Sequence, residues 1–431
     1  MHIPQTLYPG LIAILTTGML SSAVHVTPFF TGLGDLPGGS FESLSILVDN
    51  AVSNDGSVAV GRSISGNGTE AFQWTQAGGI QGLGDLAGGG FASEASSASA
   101  NGAVVIGIGT SANGTEAFRW TQTGGMQGLG DLAGGGFASR ADSISANGAV
   151  VVGQGTSANG PEAFRWTQSS GMQGLGDLAG GAFNSLAFTT SADGSVVAGR
   201  GVSASGTEAF RWTQASGMQG LGDLAGGIFR SVAYSSSADG NVIVGFGESA
   251  NGPEAFRWTQ AGGMQGLGDL AGGNFLSRAF STSADGSVIV GIGSGANGGE
   301  AMIWDAINGM RSLQDVLVSD IGLDLTGWRL EQARGVSDDG FVISGFGINP
   351  DGNREAFIAN LRVQTTAIAE PQLTLFLVLG CAVLIFPRNL RISAWRRRRF
   401  SAIAAGIASG TISAPGGSVI LMLTIAGPQV P

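Results

Sequence analysis

The chemistry open to this chain rests on carboxylates. Its two histidines, His2 and His25, stand near the N-terminus, and its one cysteine, Cys381, lies in an apolar stretch near the other end. Histidine catalysis, His- or Cys-ligated metal and an intrachain disulfide framework are thereby excluded from the region between them. The acids fall into two sets. Glu116 and Asp131 represent the first, which recurs through the chain at a fixed spacing. A symmetric set of this kind points to structure, such as capping turns or pairing with arginines like Arg119, because an active site needs one asymmetric cluster. The second set does not recur: Glu42, Asp49, Asp320, Asp324 and Glu331, together with Trp328. Carboxylates accept hydrogen bonds from sugar hydroxyls, and an indole packs on the apolar face of a sugar ring. The alternative is that these six stand in ordinary solvated loops.

A repeat must position both sets. Trp74, Trp120, Trp166, Trp212, Trp258 and Trp304 are each 46 residues apart, and Asp85, Asp131, Asp177, Asp223 and Asp269 keep the same spacing. Asp315 falls in step within a weaker copy. Each unit reads as four short strands. The first is small and polar, as in Ala187-Phe-Thr-Thr-Ser-Ala, and ends at an Asp-Gly or Asn-Gly pair such as Asp193-Gly194. Such pairs predict type I′ hairpins. The second, such as Val242-Ile-Val-Gly245, is continuously apolar, as a strand covered on both faces would be. The third carries Phe118 and Trp120 on one face by the period of two. The fourth is read as Met126-Gln-Gly-Leu-Gly-Asp-Leu132. Four antiparallel strands per unit of this length predict an all-β fold, a seven-bladed β-propeller over residues 30–362. The fourth-strand motif Gly32-Leu-Gly-Asp-Leu36 precedes any unit, and none follows Phe357. The N-terminal strand is therefore expected to complete the last blade and remove open edges.

The second set of acids sits where the period breaks. From Asp35 to Asp55 is 20 residues against 16 in the next units, and from Asp315 to Asp339 is 24. Both insertions join a fourth strand to the next first strand, on one face and beside the closure. Ligation of calcium at Ser-Ala-Asp-Gly or at Asn349-Pro-Asp351-Gly-Asn353 is chemically conceivable. The hairpin already accounts for the motif, so no metal and no cofactor is assigned. Pairs such as Gly107-Ile-Gly109 are not phosphate loops, since no helix pattern follows them.

The net charge is −11, and the region 24–369 carries 14 arginines against 30 acids. A body so acidic argues against nucleic acid or anionic lipid as its partner. At the N-terminus, Leu11–Leu20 is apolar, and Ser21 and Ala23 suit a cleavage site. This predicts a signal peptide over residues 1–23, although Met1–Gly10 holds no arginine or lysine.

The combination of Gly-Leu-Gly-Asp-Leu, the Ser-x-Asp-Gly hairpin, Val-Val-Val-Gly and Glu-Ala-Phe-Arg-Trp resembles the extracellular HAF-type repeats of bacteria. The resemblance implies export and a surface setting, and carries over no catalytic residue. The C-terminal part resembles a PEP-CTERM sorting signal. Glu370-Pro371 closes a linker over 363–372, an apolar helix is expected over 373–392, and Arg388, Arg391 and Arg396, Arg397, Arg398 and Arg399 follow or flank it. The apolar run is short for a spanning helix, so Arg388 and Arg391 would snorkel, with the Arg396–Arg399 cluster on the cytoplasmic side. That resemblance implies anchoring in a membrane and recognition by a sortase-like enzyme; a plain anchor is the alternative. Ala369 departs from the usual proline, and so does the further apolar stretch after the arginines, within 393–431. The expected function is a surface-displayed, non-catalytic binding, matrix or scaffold module, with extracellular polysaccharide as its partner. The alternative is a hydrolase or lyase acting on such a polysaccharide.

Overall fold

The structure is a computed structural model that describes residues 27–44 and 51–362. The signal segment, Asp49, Glu370-Pro371 and the arginine-flanked tail lie outside these residues. The described chain is all-β and built from antiparallel sheets. A regular unit pairs Arg140–Ile144, Val150–Ser157, Gly160–Thr167 and Gly171–Gly174 in that order. Units that follow one another repeat this order, and in two places a single parallel bridge joins neighbours, Thr69 to Ala92 and Thr207 to Arg230.

The last unit takes its fourth strand from the other end of the chain. Phe29–Gly32 pairs antiparallel with Arg354–Asn360, with Phe29 opposite Asn360 and Gly32 opposite Phe357. The strand is shorter and earlier than the Gly-Leu-Gly-Asp-Leu motif suggested. Within every regular unit the same holds: the strand stops at Gly128, and Gly130 then turns at φ +78°. A positive φ is where glycine alone is comfortable.

The hairpins also differ from the expected type I′ form. The Gly194 amide donates to the Ser191 carbonyl at 2.9 Å, so Ala192 and Asp193 are the central residues and glycine is the last. The reason is side-chain chemistry. The Asp193 carboxylate accepts from Ser191 Oγ at 2.6 Å and from the Ser195 amide at 2.9 Å, which fixes the turn one residue earlier. These turns are linked to one another. The Ala100 amide donates to Ala146, Ala146 to Ala192, Ala192 to Ala238, Ala238 to Ala284, Ala284 to Asp338, Asp338 to Asn54, and Asp55 back to Ala100, all at 2.9–3.1 Å.

Cores lie between consecutive sheets. Phe164 and Trp166 of the third unit pack on Val104, Ile106 and Ala117 of the second. The apolar second strand is buried on both faces, as in Val150-Val-Val-Gly153. Burying a large apolar side chain in this way contributes roughly 1.5–3 kcal/mol.

Candidate functional site: a cleft where the repeated acids are released

In the regular units both repeated acids hold backbone. The glutamate Oε1 accepts from the glycine amide 14 residues on: Glu116 from Gly130 at 2.9 Å, Glu254 from Gly268 at 3.0 Å. Glu70, Glu162 and Glu208 do the same, and Glu355 takes Gly34 across the chain closure. The aspartate caps the loop that follows. Asp131 accepts from the Ala138 amide at 2.8 Å and the Thr156 amide at 3.0 Å. Asp269 accepts from Leu276 at 2.7 Å and Ser294 at 3.0 Å. The repeated arginines do not pair with these acids. Arg165, Arg211 and Arg257 donate Nε to the hairpin carbonyl of the next unit, at 3.2–3.3 Å.

The sixth unit breaks this scheme through one residue. Gln314 stands in phase with Gly268. Glutamine disfavours the positive φ of that glycine, and the chain instead forms a helical turn, Leu313–Asp315, followed by a π-turn, Val316–Asp320. The Gln314 side chain then clamps the insertion, donating to the Trp328 carbonyl at 2.9 Å and accepting from the Leu330 amide at 3.0 Å. Glu300 has lost its glycine donor, and among the described residues its side chain accepts from the Asn297 amide, at 3.4 Å. Asp315, in phase with Asp269, is exposed. Glu300, Asp315 and Asp320 line one cleft of ≈ 460 Å³ with Arg311, Met310 and Ser312. Arg311 bridges Asp320 at 2.8 Å and Asp305 at 3.2 Å, and its Nε is buried without a partner. Burial acts to raise the pKa of Asp305, but hydrogen bonds from Asn308 and Ile307 and the Arg311 charge outweigh it and hold the carboxyl below its usual range.

The described residues singled out by sequence, Glu42, Asp320, Asp324, Trp328 and Glu331, do not share this cleft. Only Asp320 lines it. Asp324 is fully exposed and caps its own turn; hydrogen bonds from the Thr326 hydroxyl and amide lower its pKa. Glu331 pairs with Arg329 and, at 3.7 Å, with Arg354. Glu42 lies 3.8 Å from Arg62. Trp328 is half-buried, and its ring meets the edge of Phe30 at 5.1 Å beside a buried cluster that includes Leu330 and Phe357. The fold therefore uses this indole, which packs against Phe30 of the N-terminal strand. Sequence reasoning missed Glu300, Arg311 and Asp315. A signal was present, since Gln314 is the residue that breaks the glycine register, but its effect on Glu300 runs through a backbone turn.

Among the described residues no group of three or more His, Cys, Asp or Glu is arranged to hold a metal ion. In the Asn349–Asn353 loop the Asn349 side chain accepts from the Asp351 and Asn353 amides and donates to Glu355 at 2.8 Å, which accounts for the turn.

No protein-family model matches the chain, and no curated protein matches it. Among solved structures it is similar to β-propeller proteins. TolB from Acinetobacter baumannii is 12% identical over 71% of this chain and 80% of that one, with a TM-score of 0.41. Oligogalacturonate lyase from Vibrio parahaemolyticus is 10% identical over 78% and 98%, with a TM-score of 0.48. At such identities the likeness says nothing about activity.

Proposed function

We propose that the units are the blades of a closed, seven-bladed propeller that acts as an exported, surface-displayed, non-catalytic module binding extracellular carbohydrate. The cycle of backbone bonds through the hairpins, which returns from Asp338 to Asn54, supports closure. The signal-like N-terminus and the resemblance of the tail to a sorting signal support export, anchoring and handling by a sortase-like enzyme. One observation carries the binding reading: Glu300 and Asp315, held as caps elsewhere, are released together at one unit and face one cleft. Free carboxylates beside an arginine hold sugar hydroxyls, and the released pair breaks the symmetry as a single ligand requires.

The test is a glycan array probed with the full chain in non-ionic detergent. Glu300→Gln combined with Asp315→Asn should abolish the signal without changing the melting temperature. An array on which no glycan binds would sink this reading. The second reading, a hydrolase or lyase, is favoured by the same pair, since two carboxylates facing one cleft are what acid–base cleavage of a glycosidic bond uses. Release of reducing ends or of unsaturated products by the parent, and not by the double variant, would establish it.

A further inference from the structure

The third strands hold a second departure from symmetry. Arg165, Arg211 and Arg257 each donate Nε to the hairpin carbonyl of the next unit, at Gly194, Gly240 and Gly286. In the first unit this position is Gln73, and its Nε2 donates to the Gly102 carbonyl at 3.2 Å. Arg119 of the second unit is in phase with all four. Among the described residues it makes no hydrogen bond, to Gly148 or to any other group, and no ion pair.

The facing hairpins differ in step. Those that receive an arginine carry an aspartate: Asp193, Asp239 and Asp285. The hairpin beside Gln73 carries Asn101, and the one beside Arg119 carries Asn147. Of these five junctions, only the one at Arg119 sets a cation against a neutral turn. Asn147 uses its Oδ1 to accept from the Ser145 hydroxyl at 2.8 Å and the Ala149 amide at 3.0 Å. Its Nδ2 makes no hydrogen bond among the described residues.

Arg119, Asn147 and Gln168 line one cavity of ≈ 660 Å³, walled by Ala149, Val150 and Trp166. The size is that of a small-ligand site. Among the described residues no carboxylate lines it, although the region around it carries 14 arginines against 30 acids. Trp166 is held in the core between the second and third units, which fixes its edge as a wall. The cavity lies at the hairpin and the turn after the third strand. The cleft of Glu300 includes residues 295–297, the turn between second and third strands, at the opposite end of the strands. A guanidinium fork fits a carboxylate or sulfate through two parallel hydrogen bonds. Side-chain amides both donate and accept, as sugar hydroxyls require, and the apolar wall suits the C–H face of a sugar ring.

We propose that this cavity between the second and third units is a binding site, separate from the cleft, for a sugar bearing a carboxylate or a sulfate. Arg119 holds the oxyanion, and Asn147 and Gln168 hold the hydroxyls beside it.

Titration calorimetry on the full chain in non-ionic detergent tests this with three tetrasaccharides: one containing glucuronate, one sulfated, one neutral. The parent for the test carries Glu300→Gln and Asp315→Asn, which removes the released carboxylates of the cleft, so the result stands whichever way the cleft reading falls. At least one anionic sugar should bind at least tenfold more tightly than the neutral one. The stronger of the two names the oxyanion as carboxylate or sulfate, and either result supports the site. Arg119→Gln places here the residue type that the first unit carries. It should weaken that binding at least tenfold and leave the melting temperature unchanged, since no bond within the chain is lost. Asn147→Asp, which restores the turn of the later units and sets a carboxylate beside Arg119, should weaken it as much. Should one variant melt below its parent, the other carries the test. Equal binding of the neutral sugar, absence of binding by all three, or undiminished affinity in a variant that folds as its parent does would overturn the proposal.

Discussion

The fifth and sixth units carry the same two acids and use them differently. Glu254 and Asp269 are tied to Gly268, Leu276 and Ser294, while Glu300 and Asp315 are turned loose into a cleft. The difference starts at a residue that is neither acid, Gln314 in the place of a glycine. A repeat protein can thus create a candidate site by deleting a structural hydrogen bond, without adding a functional residue. The position to inspect is the donor that a repeated acceptor has lost.

The largest effect should come from the cores that flank the two units. Phe256 is fully buried, and Met302 is its counterpart in the sixth unit. Phe256→Ala should cost about 3–5 kcal/mol and Met302→Ala about 2–5 kcal/mol by urea denaturation. If neither moves the midpoint, the packing between sheets described above is not what holds them.

Acids in two other settings sharpen the contrast. Burial raises the pKa of Asp142 to about 7 in spite of Arg140, whereas hydrogen bonds from Ser191 and Ser195 lower that of Asp193 to about 2. The folded state holds the Asp142 proton more tightly than the unfolded chain does. Its contribution to stability is therefore complete below about pH 4 and lost as pH rises through about 7, on the order of a few kcal/mol. Asp193 has the opposite sign, its contribution being present above about pH 4 and lost as pH falls towards 2. Asp142→Asn should raise the melting temperature at pH 8 and flatten the slope between pH 5 and 8. An unchanged slope would mean that the carboxylate is already ionised when buried.

Trp328 comes next. Because its ring packs on Phe30, Trp328→Ala should lower stability by about 1–3 kcal/mol, the scale of a partly buried large side chain. A melting curve identical to the parent's would free the indole for a ligand. The smallest effects belong to the acids of the opening comparison. Glu254→Ala should cost about 1–2 kcal/mol through the lost bond to the Gly268 amide. Glu300→Ala should cost almost nothing in the same titration while weakening glycan binding. Equal losses at the two positions would erase the distinction between cap and site.

Much of this was legible in the residues. The 46-residue period, the alternation in Glu-Ala-Phe-Arg-Trp and the apolar second strands specify four-stranded antiparallel units, because strand periodicity and burial act locally. The structural role of Glu116 and Asp131 was legible too, since a symmetric set of acids needs a symmetric partner and backbone amides are the partners every unit supplies. The break in period drew attention to the insertion after Asp315, of which Asp320 lines the cleft. The sequence could not say which acids that insertion would bring together. That depended on Gln314 turning the chain into a helix and on Trp328 folding back onto Phe30 from the far end of the chain. These are contacts between residues remote in sequence, and spacing along a chain carries no information about which remote residues will meet.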